Sequence, residues 1–370
     1  MNKQKLASLI SLNEIEDGAS SQIDTWLELP FLKKLAVMPD VHTGYSLPIG
    51  GVALLYKVIS PVAVGYDIGC GMTFYNTSIP VKHILTDKCA AQKIFDKIHK
   101  LVPTGFNVHA EPQATYAEFI SYTNSNGLEN KVNKKLTQSL GTLGGGNHFI
   151  EIGSNKNEEL CVTIHSGSRN PGHSVGQFYM DLSKKKDTDL PEGFFHLDSE
   201  YGRAYYHDMN FMLQYALKNR VKILESVLEI MNLPMSLSNQ FINENHNHAI
   251  LTDDGVLHRK GATAAEEGKP GVIPGNMRDG VYITEGLGND HYLSSASHGA
   301  GRKGSRNWAR KEFSLTSFKD SMKDVVGTVN EHTLDECPSA YKDFDYVISC
   351  QKGKVVDIVD FIKPLINIKG

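Results

Sequence analysis

Short apolar runs alternate with glycine-rich clusters along most of this chain, the pattern of buried strands joined by tight loops. Such runs occupy residues 34–38, 52–58, 72–76, 149–152, 160–164, 281–284, 346–349 and 355–359, and each predicts a β-strand. Two segments carry the 3.6-residue period instead. In 87–101, Ile94, Ile98 and Leu101 share one face. In 198–231, Tyr201, Ala204, Tyr205, Met209, Met212, Ala216, Val221, Leu224 and Leu228 recur at helical spacing, Asp198 or Ser199 can cap the start, and Pro234 lies just beyond the end. The mostly polar stretch 112–135 reads as surface decoration. No internal repeat, low-complexity tract or Pro/Gly/Ser-rich linker interrupts the pattern. The expectation is one α+β domain over residues 1–370, with a β-sheet core, glycine-rich active-site loops and flanking helices.

Composition narrows the function classes. With 370 residues, 40% hydrophobic, 22% charged and a net charge of −4, the chain is globular; disorder, a coiled coil and a polycationic surface are all excluded. Any phosphate chemistry must be local. The first twenty residues lack a sustained apolar core and no run approaches the ~18–20 apolar residues of a membrane span, so no leader is expected and the cytoplasm is the expected compartment. Five cysteines (Cys70, Cys89, Cys161, Cys337, Cys350), odd in number and without paired spacing, predict free thiols.

The 33 glycines are clustered, and the chemistry-bearing residues lie among them. Asp67 and Cys70 stand three apart in Val64-Gly65-Tyr66-Asp67-Ile68-Gly69-Cys70-Gly71; His148 follows a glycine triplet; His165 ends an apolar run before Ser166-Gly167-Ser168-Arg169; His246 lies in Asn245-His246-Asn247-His248; His298 sits in Ser297-His298-Gly299-Ala300-Gly301-Arg302. Met38-Pro39-Asp40-Val41-His42 and His258-Arg259-Lys260-Gly261 add further polar groups. Taken singly, each has an ordinary explanation, a capped turn, an inert buried thiol or a satisfied core histidine. Five separate segments sharing one pattern make Asp67, Cys70, His148, His165 and His246 a joint candidate ligand set for one or two divalent ions, with a thiolate able to bridge two. Sulfur favours Zn²⁺, Mn²⁺ usually prefers oxygen, and ligand type alone leaves the metal open. Arg169, Lys260, Arg302 and Arg306 lie in glycine-rich loops from which they can reach phosphate oxygens. Phosphoryl or nucleotidyl transfer fits this set best, with His298 either a nucleophile or a further ligand.

Together these motifs resemble the RtcB family of RNA ligases, in order and over nearly the whole chain, from Met38-Pro39-Asp40-Val41-His42 to Lys369-Gly370. The resemblance implies that Asp67, Cys70, His148, His165 and His246 bind two Mn²⁺ ions with Cys70 bridging, and that His298 becomes guanylylated. It places Asn147, Arg169, Asn247, Lys260 and Arg302 near the nucleotide phosphates or the RNA ends, and Glu151 and Lys369 at the nucleotide. The implied activity joins an RNA 3′-phosphate or 2′,3′-cyclic phosphate end to a 5′-hydroxyl end with GTP, in tRNA splicing or RNA repair, with an accessory activator as an open question. Residues 274–284 depart from the family pattern, with Val281 near the place of a guanine-contacting serine. The short 286–293 stretch and Leu47-Pro48-Ile49 also suggest a divergent branch. The alternatives are a dinuclear metal phosphohydrolase acting on RNA 3′ ends and a catalytically silent RNA-binding protein.

Overall fold

Antiparallel pairing of the apolar runs builds two principal sheets in the computed structural model, which describes residues 3–113, 135–185, 189–236 and 240–370. Most of the polar 112–135 stretch lies outside the described residues. The larger sheet runs in the order Pro270–Pro274, Val281–Gly286, Val356–Lys369, Phe149–Ser154, Glu159–Ser166, Gly71–Pro80, Phe241–Asn245, with Val326–Gly327 added beside Val356–Lys369. The second sheet has the order Leu6–Ser8, Leu32–His42, Ile49–Leu55, Gly255–Lys260, Asn247–Thr252. A two-stranded pair, Ala262–Ala264 with Ser295–Ser297, is the short connection that carries His298.

The long periodic segment is a helix over Glu200–Ile230, and the Ser199 side chain caps it by accepting from the Gly202 amide. It lies against the larger sheet and buries Ile223, Leu224, Val227 and Leu228 beneath Ile150, Val162 and Ile164. The second predicted helix is Lys88–Leu101, capped by Asp87. Fully buried strands such as Glu159–Ser166 show a continuous apolar run rather than alternation, because helices cover one face and neighbouring elements the other.

Three sequence expectations change. Residues 346–349 belong to a helix, Phe344–Ser349, because the Asp343 side chain caps the Tyr346 amide; four apolar residues do not distinguish strand from helix by period. The 52–58 run breaks after Leu55, where Lys57 takes a left-handed turn (φ 53°), and Val58–Ile59 pairs instead with Phe195–His196. The segment after Ser168 is a helix, Arg169–Lys185, whose period is obscured by interleaved glycine and polar residues although Val175, Tyr179 and Met180 are buried. All five cysteines are free thiols. Among the described residues no helix is long and apolar enough to cross a membrane.

Candidate active site

Four neighbouring strands of the larger sheet bring the predicted ligands to one end. Cys70 precedes Gly71–Pro80, His148 precedes Phe149–Ser154, His165 lies near the end of Glu159–Ser166 and His246 follows Phe241–Asn245. Register fixes the alignment: Gly71 pairs with both Ser166 and Asn245, and Phe149 pairs with His165. Gly71 is needed for this approach, since a Cβ there would lie 2.1 Å from the Glu244 carbonyl oxygen.

Two overlapping triads result, Asp67–Cys70–His148 and Cys70–His165–His246, each with its donor atoms within 4.8 Å of one another, and Cys70 is common to both. The Cys70 Sγ stands 3.3 Å from His148 Nε2 and 3.1 Å from His165 Nε2; His165 and His246 face each other through Nε2 at 3.2 Å. The tautomers follow from the other ring nitrogens. His148 Nδ1 donates to the Leu143 carbonyl (2.9 Å) and His165 Nδ1 to the Asn147 carbonyl (3.2 Å), so both Nε2 atoms present lone pairs to the cluster. Lone pairs and a sulfur converge in this way with no more than the thiol hydrogen to share among them, and a cation is what such a donor set accepts. Burial, reinforced by the surrounding imidazoles, pulls His165 and His246 well below the usual histidine range, which keeps them neutral as ligands must be. Burial, then the Asp67 carboxylate, pushes the Cys70 thiol up, so in the protein alone it holds its proton and a bound cation would displace it. Nε2 of His148 stands 3.1 Å from Oδ2 of Asp67, which closes the first triad. The Asp67 side chain is 38% exposed, giving the cluster an opening to solvent.

The long helix braces the loops beneath. Arg220, fully buried, donates to the carbonyls of Gly69 (2.9 Å) and Ser166 (3.0 Å) and to the side-chain oxygens of Asn243 and Asn245. Asn219 ties the same helix to residues 141–142 and 166–167. Neither was expected as a site residue; their burial at helical spacing among Met212, Ala216 and Ile223 is the signal that a polar residue on an apolar face offers.

Beside the cluster lies a cavity of about 620 Å³ whose lining includes His165, His298, Asn147, Arg302, Arg306 and Lys369. The His298 ring is 4.7 Å from His246 and 6.5 Å from His165, centroid to centroid. Its Nδ1 is 2.7 Å from Oδ2 of Asp40, which is wholly buried and also accepts from the His298 amide. Asp40 is the residue that sequence reasoning left unassigned: it was visible in a polar motif, but 258 positions separate it from its partner. His42, two residues on, also lines the cavity, and burial lowers it to about 4.

Of the expected nucleotide contacts, Asn147, Arg302 and Lys369 line the cavity. Glu151 sits behind its wall, accepting from Asn367, which does line it, and burial raises the Glu151 carboxyl to about 8. Arg169, Asn247 and Lys260 do not line the cavity; they tie loops together. The Arg169 guanidinium donates to Thr142 Oγ1 and the Gly105 carbonyl, Asn247 to the Asp67 carbonyl, and Lys260 to the Val64 carbonyl. Val281 is also away from the cavity, fully buried and paired with Pro274 and Ile362; residues 274–277 form that wall instead. Arg302, Arg306 and Lys369 converge on Glu336, which Tyr341 also hydrogen-bonds. Burial acts to raise Glu336, yet these cations bring it down to about 2.

A sequence profile described as tRNA-splicing ligase RtcB matches residues 22–370. The chain belongs to the RtcB family. Among its relatives, the RNA-splicing ligase RtcB of Escherichia coli K12 is 30% identical, with 96% of this chain and 95% of that protein covered. RNA-splicing ligase RtcB homolog 1 of Entamoeba histolytica is also 30% identical, over 92% of this chain and 82% of its own length. The tRNA-splicing ligase RtcB of Nanoarchaeum equitans is 28% identical, over 92% and 88%. RtcB membership implies metal dependence, and the buried Asp67–Cys70–His cluster is a donor set able to meet it.

Proposed function

We propose that this chain is an RNA ligase that uses GTP to join RNA 3′-phosphate or 2′,3′-cyclic phosphate ends to 5′-hydroxyl ends through a guanylylated His298. One observation carries the reading: a histidine oriented by a buried carboxylate faces a cavity beside two thiolate-sharing donor triads. The Asp40 carboxylate accepts the Nδ1 hydrogen of His298, so Nε2 carries the lone pair and becomes the nucleophile. As Nε2 bonds to the α-phosphorus of GTP, the bond to the bridging oxygen breaks and pyrophosphate leaves, while Asp40 offsets the positive charge growing on the ring. The phosphoramidate then passes GMP to an RNA 3′-phosphate, opened first where it is cyclic, and attack by the 5′-hydroxyl expels GMP.

Asp67, Cys70 and His148 would hold one divalent ion and Cys70, His165 and His246 a second, Mn²⁺ in this reading, and such ions supply Lewis-acid stabilisation of phosphoryl charge. Arg302 and Lys369 line the cavity where phosphate oxygens would lie, Asn147 offers its amide, and Lys369 meets the nucleotide there, with Glu151 acting from behind the wall through Asn367. On this scheme Asn247 and Lys260 hold the Asp67 loop in place, and Arg169 ties together the loops at Gly105 and Thr142.

The test is incubation with α-labelled GTP and Mn²⁺. An acid-labile guanylate on the wild type that is absent from His298→Ala is the expected result. An unlabelled wild type, or equal labelling of both proteins, overturns the reading, and release of phosphate from RNA 3′ ends without GTP would favour a phosphohydrolase instead.

A further inference from the structure

Three aromatic rings stand together on the surface beside Asp67. His173 stacks on Tyr66, with centroids 5.0 Å apart and planes inclined by 17°, and Tyr45 meets Tyr66 edge-on at 5.4 Å. Tyr45 is 52% exposed, His173 is exposed and Tyr66 half-buried. Burial does not account for this ladder, since two of its three rings remain in water, where an aromatic side chain forgoes the gain that normally places it inside.

Its position relates it to the site. Tyr66 is the residue before Asp67, the exposed donor of the cluster, and Tyr45 lies two residues beyond Thr43, on the rim of the cavity. His173 projects from the first turns of the Arg169–Lys185 helix, whose amino-terminal end favours negative charge. Close packing fixes the ladder's base: Gly176 comes against the backbone of Gly65 and Tyr66, where a Cβ would lie 3.0 Å from the Gly65 carbonyl. Lys184, 46% exposed, pairs with Asp181 on the same helix.

We infer that Tyr45, Tyr66 and His173 form a stacking platform for an unpaired nucleobase of the RNA end, which holds the strand as its terminal phosphate enters the cavity. The inference rests on the RNA-ligase reading above. A base suits the ladder because stacking on aromatic rings is tolerant of sequence, and because a nucleotide seated there leads by its own backbone to the opening at Asp67. His173 is exposed, so a base can join the stack as its next ring.

The experiment uses the full-length chain and a single-stranded oligoribonucleotide ending in a 3′-phosphate, with 2-aminopurine as its terminal base. Wild type should quench the 2-aminopurine fluorescence on binding. Tyr45→Ala and His173→Ala should each lose much of that quench and weaken binding about tenfold, whereas Tyr45→Trp retains both. In the joining reaction the KM for RNA should rise in the alanine variants while the KM for GTP stays put. Wild-type quench and affinity in both alanine variants would overturn the platform, as would a rise in the KM for GTP alone, which would mark the guanine as the stacked base. A wild type that binds and quenches the RNA yet takes no label from GTP would instead overturn the ligase reading and leave the platform standing.

Discussion

The cluster around Cys70 and the basic wall around Glu336 lie close together and solve opposite electrostatic problems. In the cluster, lone pairs and a carboxylate converge while Lys260 and Arg220 donate to backbone or amide oxygens instead of entering between the donors. In the wall, Arg302, Arg306 and Lys369 are gathered on one buried carboxylate, with Asp335 taking a second contact from Arg306. The first region is a donor set that a cation from outside could complete. The second is balanced within the chain, because buried charges are tolerated when paired. Treatments that remove metal should therefore disturb the cluster and leave the wall intact, whereas acid should act on the wall.

Substitution of the shared ligand tests the contrast most severely. Cys70→Ala removes a donor from both triads, and joining should fall by at least ~10⁴-fold, the loss of several kcal/mol of phosphoryl-charge stabilisation. Elemental analysis of the purified variant should show metal content reduced, and a full metal complement in it would refute the shared-ligand assignment. Asp40→Asn should slow guanylylation by about 10²–10⁴-fold, since the amide no longer fixes the His298 tautomer, while metal content stays at the wild-type level. Single-turnover labelling reads the first effect and elemental analysis the second.

Arg220→Met leaves two carbonyls and two amide oxygens without their buried donor, and should cost about 3–5 kcal/mol in urea unfolding. If the helix braces the cluster as described, the same variant loses metal affinity, whereas unchanged affinity would separate the brace from the site. The wall is tested by pH. Glu336 falls to about 2 in the folded protein against an ordinary 4.5, so its stabilisation is present above about pH 4.5 and is lost as pH drops through 2. The shift corresponds to about 3 kcal/mol. Glu336→Gln should be less stable at neutral pH and show a flatter acid limb in thermal unfolding, with metal content unchanged; an acid limb as steep as that of the wild type would show that Glu336 does not set it.

Much of the site was legible because its residues break local rules. Cys70 among glycines and His148, His165 and His246 beside apolar runs are signals that a single sequence carries, since strand ends and tight turns impose their composition locally. The same locality made the Glu200–Ile230 helix and most strands readable, and it failed where the apolar run was too short, as at Phe344–Ser349, or where glycine and polar residues masked the period, as at Arg169–Lys185.

What the sequence by itself determined was the kind of chemistry available and the strand-end positions from which it is offered. Only the tertiary structure decided which groups meet. Sheet order, with Gly71 between Ser166 and Asn245, made Cys70 common to two triads; a contact across 258 residues gave Asp40 to His298; and Glu336 engaged the arginines and lysine that sequence reading had assigned to phosphate or nucleotide. The reason is physical: local composition constrains the backbone residue by residue, whereas partnership is set by packing and strand register, which depend on the whole chain at once.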